Sequence, residues 1–231
     1  FGLYDGLTSL KSLTSLTSQT FPTFKTNQTS ETYNNAIGKI KDYIANGKTY
    51  QVNYTMRLIA DVQLDSFSLF THLAQTQNKY AAFIETDEFA ICSASPELFF
   101  ELNGDVITSK PMKGTIKRGR TTKEDLINSE WLRASEKNRA ENVMIVDMIR
   151  NDLGKIAQSG SVQVTNLFEI EKYPTVFQMT STVKAKTYAS VTDIFSALFP
   201  CASITGAPKV STMKIINELE TSPRKIYTGS I

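Results

Sequence analysis

A lysine and a glutamate, Lys113 and Glu97, are the residues whose types and positions most directly suggest chemistry in this sequence. They flank a predicted β-hairpin whose turn, Asn103-Gly104, is typical of two-residue hairpin loops. That turn would set Glu97 opposite Lys110 and so bring it close to Lys113. An amine and a carboxyl held together can act as nucleophile and general acid. Each residue alone is equally typical of a solvated strand end or loop.

A third candidate is Glu141, which lies one turn before the apolar residues 143–146, 148 and 149 of a predicted helix. Such a helix core is expected to be buried on every side, so its charged residues need partners or a function. The carboxylate of Glu141 either pairs with Arg139 or Arg150 or binds a metal ion. Oxygen ligands would favour magnesium over zinc.

A tight turn from Thr205 to Lys209 precedes another predicted helix, with Pro208 at its first position. The free backbone amides at such a helix start can bind a carboxylate or a phosphate. An empty helix start is as common as an occupied one. The glycine spacing of a nucleotide-binding P-loop is absent, so the turn predicts no nucleotide site.

Composition excludes several classes of function for the 231 residues. The formal charge of +2 gives no bulk attraction to nucleic acid or to an anionic membrane. No apolar stretch is long enough to cross a bilayer, and no secretory signal pattern opens the chain. Two cysteines and a single histidine, His72, make a zinc cage or a Ser/His/Asp triad improbable. A cytoplasmic protein is expected.

The elements that must position these residues follow from periodicity and turn signals. Residues 1–30 are rich in Ser and Thr, and we expect an irregular N-terminal segment there. Apolar spacing and caps predict helices at 30–45, 66–74, 136–156, 191–198 and 208–219, and a further helix that begins at 121. The first of these helices would be capped by Ser30. Alternation and β-formers predict strands at 50–58, 80–85, 89–93, 98–102, 106–109, 161–165 and 176–183. In the hairpin, Phe100 would face Ile107.

Seven short strings of residues occur in an order that indicates a known family. They are YQVN at 50–53, SPELF at 95–99, PMKGT at 111–115, RAENVMIVD at 139–147, RNDLG at 150–154, SITGAPK at 203–209 and YTGSI at 227–231. On these strings the chain resembles the chorismate-utilising enzymes, and within them the branch of aminodeoxychorismate synthase component I. The resemblance implies an α+β fold of two packed antiparallel β-sheets flanked by helices. Residues 31–231 would form the chorismate-binding domain.

The resemblance implies a covalent mechanism for Lys113 and Glu97. In that branch the lysine attacks C2 of chorismate while the C4 hydroxyl leaves, assisted by the carboxylic acid. Ammonia from a glutamine amidotransferase subunit then attacks C4 and expels the lysine. The product, 4-amino-4-deoxychorismate, leads to para-aminobenzoate and folate. No nucleic acid or membrane partner is expected.

The same matching assigns binding roles to further residues. Glu141 would be a ligand of the magnesium ion that holds the ring carboxylate of the substrate. The expected substrate-binding residues are Gln51, Gly114, Thr115, Thr205, Gly206, Lys209, Tyr227 and Gly229.

Three positions separate the resembled branch from its relatives, and other functions stay open. Anthranilate and isochorismate synthases usually carry alanine where this chain has Lys113. Isochorismate and salicylate synthases use a lysine where it has Gln51, and anthranilate synthases have a histidine where it has Gln178. Anthranilate synthase component I and isochorismate or salicylate synthase are nevertheless alternatives. A chorismate- or partner-binding fragment without turnover is another, because the family continues beyond Ile231 with a glycine-rich turn and a second metal-binding glutamate.

Overall fold

The computed structural model describes residues 22–76 and 79–230, and the statements below refer to these residues. Most of the predicted N-terminal segment, residues 1–21, lies outside them. The described helices are α1 (Ser30–Ala45), α2 (Ser66–Thr76), α3 (Thr122–Ala134), α4 (Glu136–Gly154), α5 (Val191–Leu198) and α6 (Lys209–Leu219), with a short 3-10 helix at Ala202–Ile204. Among them, none combines the length and hydrophobicity that crossing a bilayer requires.

Every strand pairing in the described residues is antiparallel. The strands are β1 (Lys25–Thr26), β2 (Gln51–Val52), β3 (Leu58–Ile59), β4 (Tyr80–Glu85), β5 (Ala90–Ser95), β6 (Leu98–Asn103), β7 (Val106–Lys110), β8 (Met112–Lys117), β9 (Gln163–Lys172), β10 (Val176–Lys186) and β11 (Gly206–Ala207). Helices and antiparallel sheets together confirm the predicted α+β class.

The long strand β10 organises the main sheet. One of its edges pairs with β7 and then with β8, and the other edge pairs with β9. Its middle residues, 179–183, are all buried, in keeping with a central strand. Because β8 carries Lys113, this sheet fixes the backbone of the candidate nucleophile.

The hairpin of β6 and β7 differs from its predicted register. Its turn is Gly104-Asp105, with Gly104 at φ +60° in the first turn position, where a type II′ turn places glycine. Ile107 therefore pairs with Leu102, and the prediction that it faces Phe100 was wrong. An irregularity then sets Leu98 opposite Lys110, so Glu97 does not lie opposite that lysine.

The hydrophobic core lies between helix α4 and the main sheet. Ile145, Ile149 and Leu153 of the helix pack with Ile107 and Val183 of the sheet, and all five are buried. The prediction that the apolar middle of α4 is buried on every side was wrong, since Val143 is 46% exposed. The helix buries one face only, as its sheet contact requires.

Two predicted boundaries differ from those in the structure, and in each case a side-chain hydrogen bond explains the difference. The N-cap of α1 is Thr29 rather than Ser30, since its side chain accepts from the Thr32 amide. The predicted strand 50–58 is interrupted after Val52, because the amide of Thr55 donates to the Glu220 carboxylate instead of a neighbouring strand.

Backbone contacts divide the described chain into two compact units. The smaller comprises 22–24 and the described part of 60–96, where α2 packs on the β4–β5 hairpin. Its apolar centre is an aromatic group of Phe67, Phe70 and Phe83 with ring centroids 5.3–6.2 Å apart. The larger comprises 25–59 and 97–230 and contains the candidate site.

One ion pair outside that site joins strand and helix in the larger unit. The Arg118 guanidinium, just after β8, donates to both carboxylate oxygens of Asp125 on α3 and to the Tyr173 carbonyl. The Arg118 hydrogen bonds lower the pKa of Asp125 to about 2.

Candidate functional site

Lys113 lies on strand β8 with its amine turned toward the 3-10 helix. Its Nζ donates to the Ser203 carbonyl at 3.0 Å and to Asn53 Oδ1 at 3.4 Å. The alternative, a solvated loop lysine, is wrong, because Lys113 lies on β8 and its side chain is half-buried. A strand holds a side chain more rigidly than a loop, which suits a group that must meet a substrate atom.

Glu97 lies close to the same amine although the hairpin register that predicted this was wrong. Its Oε1 is inaccessible to solvent. Burial raises the pKa of the Glu97 carboxyl, and a hydrogen bond with the Ser203 side chain and the charge of Lys113 partly oppose that rise. A carboxyl held in its neutral form to higher pH is the form that can donate a proton.

Ser203 connects the two groups and is itself buried. Its carbonyl accepts from Lys113, while its hydroxyl contacts Glu97 and the thiol of Cys201, 3.2 Å away. Burial raises the pKa of the Cys201 thiol, and the charge of Glu97 adds to the effect. The thiol is therefore held protonated, and an amine, a carboxyl and a hydroxyl remain as the groups available for chemistry.

The segment that carries Ser203 is fixed by close backbone packing. Strand β11 follows it and pairs with β2, so that Gly206 lies opposite Val52. A Cβ atom on Gly206 would lie 2.0 Å from the Gln51 carbonyl oxygen, and its φ is +145°, so only glycine fits. The Asn53 amide also donates to the Thr205 carbonyl at 2.9 Å. This packing holds the Ser203 carbonyl near Lys113.

Lys209 has a different position from the pocket-lining one that the resemblance implies. Its Nζ pairs with the buried carboxylate of Asp152 on α4 and donates to the Leu198 carbonyl at 3.2 Å. Lys155 pairs with the same carboxylate at 2.7 Å. The expectation that Asp152 needs a partner is confirmed. The pair anchors the start of α6 to α4, and a role for Lys209 in substrate binding stays a prediction.

Gly114 and Glu141 are related through helix α4. A Cβ atom on Gly114 would lie 3.0 Å from the Asn138 Cβ, and its φ is +101°. The missing side chain thus lets α4 approach β8, and the substrate-binding role that the resemblance implies for Gly114 stays a prediction. Glu141 lies three residues after Asn138 and so on the same helix face. Its carboxylate pairs loosely with Lys137, at 3.8 Å, and is 38% exposed.

Comparison with known proteins identifies the family of this chain. The family model described as chorismate binding enzyme matches residues 7–231. The chain belongs to this family. Aminodeoxychorismate synthase component 1 from Bacillus subtilis (strain 168) is 42% identical over 203 residues, which are 86% of this chain and 43% of that protein. The protein of the same name from Klebsiella aerogenes is 42% identical over 202 residues, 86% of this chain and 45% of its own.

A solved structure supports the fold. Anthranilate synthase component I from Streptococcus pneumoniae TIGR4 superposes with a TM-score of 0.83 at 31% identity, covering 91% of this chain and 47% of that one. The chain therefore spans less than half the length of the curated relatives and of this structure.

The other expected substrate-binding residues differ in burial and in hydrogen bonding. The Thr115 hydroxyl donates to Gln178 Oε1 at 2.6 Å, and the buried Thr205 hydroxyl donates to the Cys201 carbonyl. Tyr227 is 62% exposed and, together with Gly229, lines a cleft of about 530 Å³. Within the described residues, the buried Gln51 Oε1 has no hydrogen-bond partner. The substrate-binding roles of these residues stay predictions.

Asn53 is a site residue that the sequence analysis did not single out. It accepts from Lys113 through Oδ1 and donates through Nδ2 to the Ser203 carbonyl at 2.9 Å. The signal was present, because Gln51, Asn53 and Thr55 alternate with apolar residues and so share one face. Alternation alone could not distinguish a face lining a site from a face in solvent.

Burial of Glu97 predicts a specific dependence of stability on pH. Its pKa is raised in the fold above the ordinary value of 4.5, so its contribution to stability is complete below that pH and is lost as pH rises through the raised value. Glu97→Gln keeps the shape and cannot ionise. In urea unfolding at a series of pH values, the original protein should lose stability relative to Glu97→Gln as the pH rises.

The matched variant is Glu101→Gln, which removes one negative charge from an exposed position on β6. Its stability shows the effect of losing one negative charge while the buried Glu97 carboxyl is still present. A constant difference in the free energy of unfolding between the original protein and Glu97→Gln at every pH would show that Glu97 ionises as it does in water.

Proposed function

We propose that the complete protein aminates chorismate at C4 to give 4-amino-4-deoxychorismate, a step toward para-aminobenzoate and folate. The observation that supports this most is the meeting of Lys113 and Glu97 at Ser203. Relatives named aminodeoxychorismate synthase component 1 at 42% identity support the same reading. The position beside Glu97 holds an amine, which can form a bond to carbon.

The proposed chemistry is two successive allylic displacements. The unprotonated Lys113 amine attacks C2 of chorismate, the ring double bond shifts, and the C4 hydroxyl leaves as water with the proton of Glu97. Ammonia then attacks C4, the double bond shifts back, and the C2–N bond breaks to release the lysine. The proton lost by the incoming nitrogen returns to Glu97. Two allylic displacements thus replace one direct substitution on the same face of C4.

Asn53, Ser203 and Glu97 each have a role in this scheme. The acceptors Asn53 and Ser203 fix the direction of the Lys113 amine, which reduces the entropy lost when it meets C2. Burial keeps Glu97 protonated to higher pH, so that it can act as the acid for the leaving hydroxyl.

Magnesium is proposed as the cofactor on the basis of the donor type at Glu141. This ion prefers oxygen ligands and is often bound by one or two carboxylates, with water and substrate oxygens completing its shell. Glu141 offers a partly exposed carboxylate with only a loose ion pair, so it fits such a site. When bound, the ion would neutralise the substrate carboxylate. No described group of three or more His, Cys, Asp or Glu residues could hold a metal ion by itself.

The ammonia is proposed to come from a separate glutaminase subunit, as the component 1 naming of the relatives implies. The reaction uses small soluble substrates, and a cytoplasmic location is part of the proposal. The alternative activity is that of anthranilate synthase component I, which the similarity to the Streptococcus pneumoniae structure favours.

Product analysis tests the proposal. The complete protein, incubated with chorismate, magnesium and an ammonium salt, should form a product that retains the enolpyruvyl group, as mass spectrometry would show. Lys113→Ala should lose C4 amination, whereas Lys117→Ala, which changes an exposed lysine of the same strand, should not. Anthranilate as the product would establish the alternative, and binding of chorismate without any product would establish a non-catalytic protein.

The metal proposal predicts the effect of Glu141→Ala. Removing an anionic oxygen ligand should raise the magnesium concentration needed for half-maximal activity by more than about tenfold, since even indirect partners of metal ligands have effects of that size. Circular dichroism should show an intact fold, because the side chain is on the helix surface.

Glu136→Ala is the control for this prediction. It removes an exposed carboxylate from the first turn of the same helix and should leave the magnesium dependence as it was. Equal magnesium dependence in Glu141→Ala and the original protein would remove Glu141 from the metal site.

A further inference from the structure

Arg224 forms the centre of a hydrogen-bond network behind the Lys113 site. Its Nε and Nη2 donate to the carboxylate of Glu220, four residues earlier in the chain. Its Nη1 donates to the Ile204 carbonyl at 2.7 Å and its Nη2 to the Asn53 carbonyl at 2.6 Å. One guanidinium thus joins segments that are 20 and 171 residues away in sequence.

The two carbonyls that Arg224 binds belong to the segments that hold the Lys113 amine. Asn53 accepts from the Lys113 amine through its side chain. Ile204 directly follows Ser203, whose carbonyl also accepts from that amine. A shift of either segment would therefore move an acceptor of Lys113.

Glu220 completes the network from the other side. Its Oε1 accepts from the Thr55 amide at 3.0 Å and from the Thr55 hydroxyl at 2.9 Å. Thr55 lies two residues after Asn53, so the carboxylate holds the same segment that Arg224 holds by its carbonyl. Arg224 and Glu220 therefore both hold the segment of Asn53 in place.

Burial makes the pair sensitive to substitution. The Arg224 side chain is 13% exposed and that of Glu220 is 6% exposed. Charges withdrawn from water need good geometry and full hydrogen bonding to be stable. A lysine at position 224 would keep the charge but would lack the planar fork that reaches a carboxylate and two carbonyls at once.

We infer that Arg224 and Glu220 are positioning residues that set the location of the Lys113 amine through Asn53 and Ser203. The effect of these residues on turnover rests on the proposed function. Their effect on the Lys113 amine can be measured without any substrate. Neither residue is given a role by the family motifs in the sequence.

The first measurement is the reactivity of Lys113 in the complete protein without ligand. Lysines are labelled with a trace of acetic anhydride, and peptide mass spectrometry gives the rate at Lys113 relative to exposed lysines. Arg224→Lys and Glu220→Gln should each raise that relative rate by about fivefold, the effect of losing one net hydrogen bond. An unchanged rate in both variants would overturn the inference.

The control is Arg118→Lys, which changes an arginine with a similar environment. Arg118 is also bound to a carboxylate through a two-pronged contact and to a backbone carbonyl, and its side chain is 22% exposed. Its side-chain hydrogen bonds go to Asp125 and Tyr173, whereas those of Arg224 go to the segments that carry Asn53 and Ser203. Arg118→Lys should lose stability without changing the labelling rate at Lys113, so a similar rise in this variant would show that general loosening is responsible.

The second measurement is steady-state kinetics with chorismate. In Arg224→Lys, kcat should fall by about a hundredfold, as misplacement of a reacting group by about 1 Å can do, while KM changes little. A fall in kcat/KM through KM alone would contradict positioning of the amine. If the complete protein forms no product at all, the proposed function fails, and the labelling experiment still decides whether Arg224 positions Lys113. Should Arg224→Lys not fold, Glu220→Gln, which keeps the side-chain shape, provides both measurements.

Discussion

The sharing of Ser203 by an amine and a buried carboxyl is the interaction on which the rest of the site depends. The carbonyl of Ser203 accepts from Lys113, and its hydroxyl contacts Glu97. Removing a carboxyl from water disfavours its charged form, and the cost is moderated only if its neighbours stay in place. The position of one serine therefore affects both the direction of the Lys113 amine and the pKa of the Glu97 carboxyl, which burial raises and the serine hydroxyl partly lowers.

Much of the larger unit serves to keep that serine in place. After Ser203, Gly206 packs directly on the backbone of β2, where any side chain would collide. Further along, the pair of Lys209 and Asp152 fastens the start of α6 to α4, whose other face forms the core with the main sheet. The TGAPK turn, which looked like part of a pocket, and the RNDLG string are thus joined by a buried ion pair. They support the site from behind.

Sequence predicted local features well and long-range geometry poorly, for physical reasons. Helix α5 and strand β4 have the predicted bounds, because periodicity and flanking turn residues are local signals. The hairpin register was wrong because one glycine can occupy either position of a two-residue turn, and the pattern does not say which. Lys113 lies 60 and 90 residues from its two acceptors, and Arg224 lies 20 and 171 residues from the carbonyls it binds. No spacing rule encodes such contacts.

The central claim is that the Lys113 amine is held where it can bond to chorismate, and trapping the covalent intermediate tests it most directly. The complete protein is mixed with chorismate and magnesium in the absence of ammonia, digested, and analysed by mass spectrometry. The account predicts that the peptide containing Lys113 gains the mass of chorismate less one water, and that Lys113→Ala shows no such gain on any peptide. An unmodified Lys113 peptide under every trapping condition, in a protein that still aminates C4 when ammonia is added, would contradict it.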